Sequence, residues 1–141
     1  MMKREWSTSW VSSTQPRKQR KYRANAPNHK RRNMMSAHLS RVLRKEFGRR
    51  AVKIRKGDEV KVVRGEKKGS QGKIIRVDFS RMKIYVENVK GKKVSGQEVE
   101  IAIDPSNVVI TRLDMDDKAR AKSIKKSKKP VQTAEKIKKN E

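Results

Sequence analysis

The run Gly57-Asp58-Glu59-Val60-Lys61-Val62-Val63-Arg64-Gly65-Glu66-Lys67-Lys68-Gly69-Ser70-Gln71-Gly72-Lys73-Ile74-Ile75-Arg76-Val77 decides the fold. Val60 and Val62 alternate with Glu59 and Lys61, and past the turn Ile75 and Val77 alternate with Arg76. A period of two places one face of each run inside, as half-buried strands require. Between them, Gly65, Gly69 and Gly72 supply backbone freedom, because a residue without Cβ reaches positive φ at little cost. The spacing predicts a β-hairpin whose tip is cationic and sterically bare. Such a tip can approach a phosphate backbone closely.

Downstream, Asp78-Phe79-Ser80-Arg81 reads as a turn, and Met82, Ile84 and Val86 predict a strand over 82–87 with Tyr85 on its other face. Residues 88–96, holding Gly91, Lys92, Lys93 and Gly96, read as a long basic loop. Val99, Ile101 and Ile103 alternate with Glu98, Glu100 and Ala102 and predict a further strand. Asp104-Pro105-Ser106-Asn107 is a turn, with Pro presetting φ at its second position, and Val108–Thr111 is the last strand. Five short strands with tight turns predict a mainly β fold, a small five-stranded SH3-like barrel that hides its sheet edges.

Upstream, Leu39, Val42, Leu43 and Phe47 form one apolar stripe and predict a short helix over 36–47. Ser36 is its expected cap and Gly48 its expected stop. Residues 15–35 are rich in Arg and Lys and are interrupted by Pro16 and Pro27, which predicts an extended, flexible arm. Residues 1–14 carry Trp6 and Trp10 without periodicity and receive no structure. Asp114-Met115-Asp116-Asp117 followed by Lys118-Ala119-Arg120-Ala121 can begin a helix, with acids first and bases later. Residues 125–139 are of low complexity and are expected to be disordered when free. The expected organisation is a tail at 1–14, an arm plus helix at 15–56, the barrel at 57–113 and a basic tail at 114–141.

The chain has 141 residues, of which 33% are hydrophobic and 39% charged, with a mean hydropathy of -1.04. That apolar content does not cover a compact core of the whole length. The net charge of +25 calls for a polyanionic partner. Residues 1–55 hold 17 Lys and Arg against 2 acids, whereas 56–113 hold 13 against 8, so the arm carries most of the excess. With no cysteine, disulfides, thiolate metal sites and a Cys nucleophile are excluded. No apolar run approaches the ~20 residues of a membrane span, and Trp6, Trp10 and Val11 are too sparse for a signal-peptide core. A soluble, intracellular protein is the simplest expectation.

No nucleophile–base pair stands out, and neither His29 nor His38 has a neighbouring third ligand for a metal. A P-loop fails on spacing: Lys67 stands where Gly is needed, and Ile74 where Ser or Thr is needed. Phe79 and Tyr85 alone do not make a peptide-binding aromatic cage, and packing is expected for both. Asp58, Glu59 and Glu66 read as solvated surface charge. An enzyme is not expected, and no cofactor or metal is called for.

Gly57-Asp58-Glu59-Val60, Arg64-Gly65, Lys68-Gly69 and Gly72-Lys73 resemble a KOW motif. Three flanking stretches narrow the resemblance: Gln15 to Lys21 with Asn25-Ala26-Pro27, Met35 to Ser40, and Asp104 to Val108. Together they resemble the family of large-ribosomal-subunit protein number twenty-four in its archaeal and eukaryotic form, number twenty-six in eukaryotic naming, from about Gln15 to about Asp117. The resemblance implies a structural constituent of the large subunit, in the cytoplasm. It would bind the 5′ region of large-subunit ribosomal RNA, promote assembly and sit near the nascent-chain exit beside other ribosomal proteins. A KOW-type transcription or nucleic-acid-binding factor is the alternative, and it shares the hairpin alone.

The expected RNA-binding residues follow from the charge map. They are Arg17, Lys18, Arg20, Lys21, Arg23, Lys30, Arg31 and Arg32 of the arm, with Tyr22 and His29 placed to stack on splayed bases. Arg41, Arg44 and Lys45 lie off the helix stripe, and Arg49, Arg50 and Arg55 lead into the hairpin. Arg64, Lys67, Lys68 and Lys73 flank the loop glycines Gly65, Gly69 and Gly72. Guanidinium forks and ammonium groups neutralise phosphates in this arrangement.

Overall fold

The structure is a computed structural model and describes residues 6–125. After a 3-10 turn at Thr8–Ser12 come α1 (Pro16–Asn25), α2 (Asn28–Met34), β1 (Ser36–Leu39), α3 (Arg41–Phe47) and β2 (Ala51–Lys53). Then follow β3 (Glu59–Val62), β4 (Gln71–Asp78), β5 (Lys83–Val86), β6 (Lys90–Lys92) and β7 (Glu98–Glu100). A 3-10 turn at Pro105–Asn107, β8 (Val108–Arg112) and α4 (Lys118–Lys125) complete the order.

Six strands form one mixed sheet in the order β2-β1-β8-β3-β4-β5, and β6 and β7 pair separately. The only parallel pairing among the described strands is β1 with β8, His38 opposite Val109 and Leu39 opposite Ile110. The mainly β expectation therefore holds, but the five-stranded closed barrel does not. The ladder ends at β2 and β5 and does not return on itself. Part of the outer edge of β5 is covered by Ile103, which exchanges two backbone hydrogen bonds of 2.9 Å with Ile84.

The core is the inward side of this sheet. Leu39, Val60, Ile84, Val86 and Ile110 are fully buried, joined by Met35, Ile74, Val108 and, from α4, Ile124. Burying such a side chain contributes roughly 1.5–3 kcal/mol. In β3 the expected alternation is observed, with Val60 and Val62 inside and Lys61 outside. In β4 the phase is different. Ile74 pairs with Val86 and Arg76 with Tyr85, so Ile75 is an extra residue in a β-bulge. Ile74 is buried, while Ile75 and Val77 are only half-buried.

Other expectations change. The arm over 15–35 is not extended: α1 and α2 fill most of it. Pro16 stands in the first turn of α1 and Pro27 is the N-cap of α2, and both positions tolerate its missing N–H. The helix expected over 36–47 begins only at Arg41, because Ser36–Leu39 pairs with β2 and β8 as a strand. Ser40 rather than Ser36 caps it, accepting from the Leu43 N–H at 3.4 Å, and Gly48 ends it at φ 63° as expected. Leu39 is buried from β1, whereas Val42 is exposed.

The basic loop over 88–96 contains β6, which pairs with β7 through Lys90–Glu100 and Lys92–Glu98. Val99 consequently sits on this projecting hairpin, partly exposed, and only Ile103 of that alternating run is buried. Of residues 1–14, which show no periodicity, the described 6–13 pack on α1: Trp6 stacks on Tyr22, and the Gln19 amide donates to the carbonyls of Trp10, Val11 and Ser13. The expected helix after Asp117 is α4, whose first N–H groups, of Ala119 and Arg120, donate to the Asp117 carboxylate. From residue 126 on, the stretch expected to be disordered lies outside the described residues.

Candidate nucleic-acid interface

The hairpin tip is built as its glycines suggest, with one difference. Gly65 and Gly69 have φ of +95° and +94°, and a Cβ on either would meet nothing within 4 Å. The turn closes through Lys68 N–H to the Gly65 carbonyl at 3.1 Å and Gly69 N–H to the Val62 carbonyl at 2.8 Å. Arg64 and Lys68 are exposed around it, Lys73 is exposed farther along β4 opposite Glu59, and Lys67 is half-buried and paired with Glu66 at 3.0 Å. Gly72 has no positive φ. It is small because a Cβ there would lie 3.1 Å from Val86 Cγ1 and 3.3 Å from the Asn88 nitrogen. Its role is strand packing.

The arm cations divide by element. Arg17, Lys18, Arg20, Lys21 and Arg23 are exposed on α1, with Lys21 also lying 5.0 Å from the centre of the Trp10 ring. Tyr22 is buried under Trp6, ring centres 5.4 Å apart, so its ring is not open to a base. His29 and Arg32 are exposed on α2, and Lys30 and Arg31 are half-buried. Arg31 is a strut: it donates to the Ser80 carbonyl at 2.7 Å and to that of Ala24. On α3, Arg41 and Lys45 face solvent, but Arg44 donates to the Leu39 carbonyl at 2.7 Å and lies 3.3 Å from His38 Nδ1.

Beyond α3, Arg49 donates to the Ser123 carbonyl at 2.9 Å, Arg50 is exposed, and Arg55 is paired with Asp117. The Arg55 contact, helped by the Ala119 and Arg120 N–H groups, holds the Asp117 carboxyl below its usual range.

Sequence reasoning missed the anchor beneath this surface. Asp58, expected on the surface, is fully buried. Arg120 grips it with both guanidinium ends, 2.6 Å to Oδ1 and 2.7 Å to Oδ2, and also donates to the carbonyls of Asp114 and Lys53. The remaining lone pairs of Asp58 accept from the N–H groups of Arg55 at 2.9 Å and Asp114 at 3.1 Å. This is the bidentate geometry that lets a buried ion pair offset its desolvation. No local pattern marks residues 62 positions apart as partners.

Lys53, Lys56 and Arg76 were also passed over. They share a half-open groove of about 1010 Å³ with Arg32, Arg49 and Arg55. The alternation of Val52 and Ile54 with Lys53 and Arg55 was the available signal. Among the described residues, no three acids and histidines cluster to hold a metal, and no helix is long and apolar enough to cross a membrane.

These features define a class: a small, strongly basic, mainly β protein that displays cations on a rigid sheet and on helices attached to it. The profile of the family described as the ribosomal proteins L26 of eukaryotes and their archaeal L24 counterparts matches residues 13–127, and the chain belongs to that family. It is 50% identical over 110 residues to the large ribosomal subunit protein uL24 of Methanothrix thermoacetophila, covering 78% of this chain and 95% of that one. It is 51% identical over 114 residues to the uL24 of Methanosarcina barkeri, covering 81% of this chain and 98% of the relative. The family is a structural component of the large ribosomal subunit, which places the chain in the cytoplasm within the ribosome. Trp6 and Trp10 precede the matched span.

Proposed function

We propose that the chain binds large-subunit ribosomal RNA, in its 5′ region, and promotes subunit assembly from a position near the nascent-chain exit, beside other ribosomal proteins. The observation that carries this reading is the open Gly65–Gly69 tip, with Arg64 and Lys68 exposed on a hairpin whose strands are paired on both sides. A preformed backbone with free cations loses little entropy on docking, so phosphate contacts made there are not spent on ordering the chain. The exposed cations of α1 and α2 extend the contact, and recognition follows RNA shape more than base sequence.

Full-length protein and a 5′ fragment of large-subunit RNA test the reading by a salt titration. Binding is expected at physiological ionic strength. Arg64→Gln with Lys68→Gln should lower the slope of log K against log salt by about two units, near one per lost phosphate contact. Failure to bind at that ionic strength rejects the proposal. In cells, depletion should lower large-subunit levels on gradients, and unchanged levels would reject the assembly role.

A further inference from the structure

The groove between β2, β4 and α4 does not include the hairpin tip, and its lining is of two kinds. The half-buried Ile75, Val77 and Phe79 bring apolar surface to it, over the buried Val52, Ile54 and Ile124. The cations Arg32, Arg49, Lys53, Arg55, Lys56 and Arg76 surround that surface, and Arg120 contributes from below with its charge already met by Asp58. Asp117 is the one carboxylate among the described lining residues and is taken by Arg55, and Arg76 lies 3.7 Å from the Glu100 carboxylate. The bulge at Ile75 helps create the apolar part. The extra residue leaves Ile75 half-buried at the groove and outside the core cluster, while the half-buried Val77 lines the groove and also packs against the core.

Two guanidinium groups are already set on aromatic faces at this end of the sheet. Arg76 lies 4.1 Å from the centre of the Tyr85 ring, and Arg32 5.6 Å from that of Phe79. A guanidinium held on one face by a ring offers its other face as a stacking plane.

The geometry points to a second RNA site: this groove takes an unstacked nucleotide of a single-stranded RNA segment, the base on the apolar floor and its flanking phosphates on the cationic rim. The inference rests on the RNA-binding reading above and adds a site to it. The size is suitable, since pockets for small organic groups run from roughly 300 to 1,000 Å³. The cationic rim favours an anionic occupant.

The test uses the full chain, a short single-stranded RNA, the same RNA with one abasic position, and polyglutamate as an acidic-peptide control. The abasic strand should bind about tenfold more weakly, the loss that one stacked base accounts for. Lys56→Gln with Arg76→Gln, both exposed changes, should abolish that difference, while Arg64→Gln with Lys68→Gln should preserve it. Ultraviolet crosslinks from the single strand should map to residues 52–56 or 75–79. Equal affinity for intact and abasic strands overturns the inference, as does displacement by polyglutamate that removes the crosslinks. If the groove variants change nothing while the tip variants still lower the salt slope on the 5′ fragment, this site fails and the first reading stands. If no RNA binds, both fail.

Discussion

The helical arm over 16–34 and the sheet region over 36–125 are both basic, yet they are held by different forces. In the sheet, cations alternate with buried aliphatic residues, and the acids sit beside them: Glu59, Asp58, Asp104 and Asp117 each reach an Arg or Lys. The arm contains no acid between residues 6 and 34, and Tyr22 is the one buried residue of α1 and α2. Apolar burial is therefore concentrated in one region and the excess of positive over negative residues in the other. An RNA partner would feel the arm as charge and the sheet as shape.

The Asp58–Arg120 pair tests where stability lies with the largest expected effect. Asp58→Ala leaves a buried guanidinium without its carboxylate and removes the acceptor for the Arg55 and Asp114 N–H groups. A loss of roughly 3–5 kcal/mol is expected, read as a shift of the denaturant midpoint. Asp58→Leu with Arg120→Met should lose less than either single change, because no lone charge stays buried. Equal losses in all variants would mean that α4 contributes by packing Ile124 and not through its ion pair.

Next come the hairpin glycines, which look alike in sequence and differ in cause. Gly72→Asn should cost about 1–3 kcal/mol, because the added atoms have Val86 and Asn88 in their way. Gly69→Asn should cost well under about 1 kcal/mol, since that position is open and Asn tolerates positive φ. Gly69→Val should cost more than Gly69→Asn. Thermal melts of the three variants settle the order, and a harmless Gly72→Asn would contradict the packing account.

The hairpin and its flanking strands were legible because burial imposes a period on sequence. Val60 and Val62, and Ile84 and Val86, could be placed without knowing their partners. The bulge at Ile75 was not legible, because a one-residue phase shift in β4 depends on what β5 presents opposite. The arm was illegible for another reason. Arg, Lys, Gln and Ala favour helix without an apolar stripe, and Pro16 and Pro27 mark helix starts as readily as breaks. Its first helix is braced by Trp6 and Gln19, whose contacts span 16 residues to Tyr22 and nine to Trp10. Of the site, exposed cations could be guessed from composition. The struts Arg31, Arg44 and Arg120 could not be told from them, since guanidinium chemistry serves phosphates and backbone carbonyls alike.

Deleting residues 6–25 sharpens the contrast from the arm's side. Most of the contacts of α1 are with residues 6–13, which leave with it, and the bond from Arg31 to the Ala24 carbonyl is lost. The sheet should lose about 1 kcal/mol or less. RNA affinity should become less salt-dependent, by up to about one slope unit for each phosphate-bound cation among Arg17, Lys18, Arg20, Lys21 and Arg23. A truncated chain that unfolds would show that the arm is part of the stabilising core.

The smallest effect expected is acidic. Burial alone would raise the Asp104 carboxyl, but hydrogen bonds from the Ser106 N–H and hydroxyl, together with Lys83, outweigh it and hold it below 3.8. A carboxyl depressed on folding contributes stability above its unfolded value and loses that contribution as pH falls through the folded one. The window therefore opens just under pH 3.8 and extends downward. Because the Asp104 side chain is nearly half exposed, solvent screens the effect to about 0.5 kcal/mol or less. Asp104→Asn should lose less stability than the parent between about pH 4 and pH 2, in a chemical-denaturation series. The arm, with no carboxylate between residues 6 and 34, has nothing to titrate in that range, so helix signal assigned to α1 should not follow the same curve. Identical acid limbs for parent and variant would show that the turn before β8 is held by Pro105 packing alone.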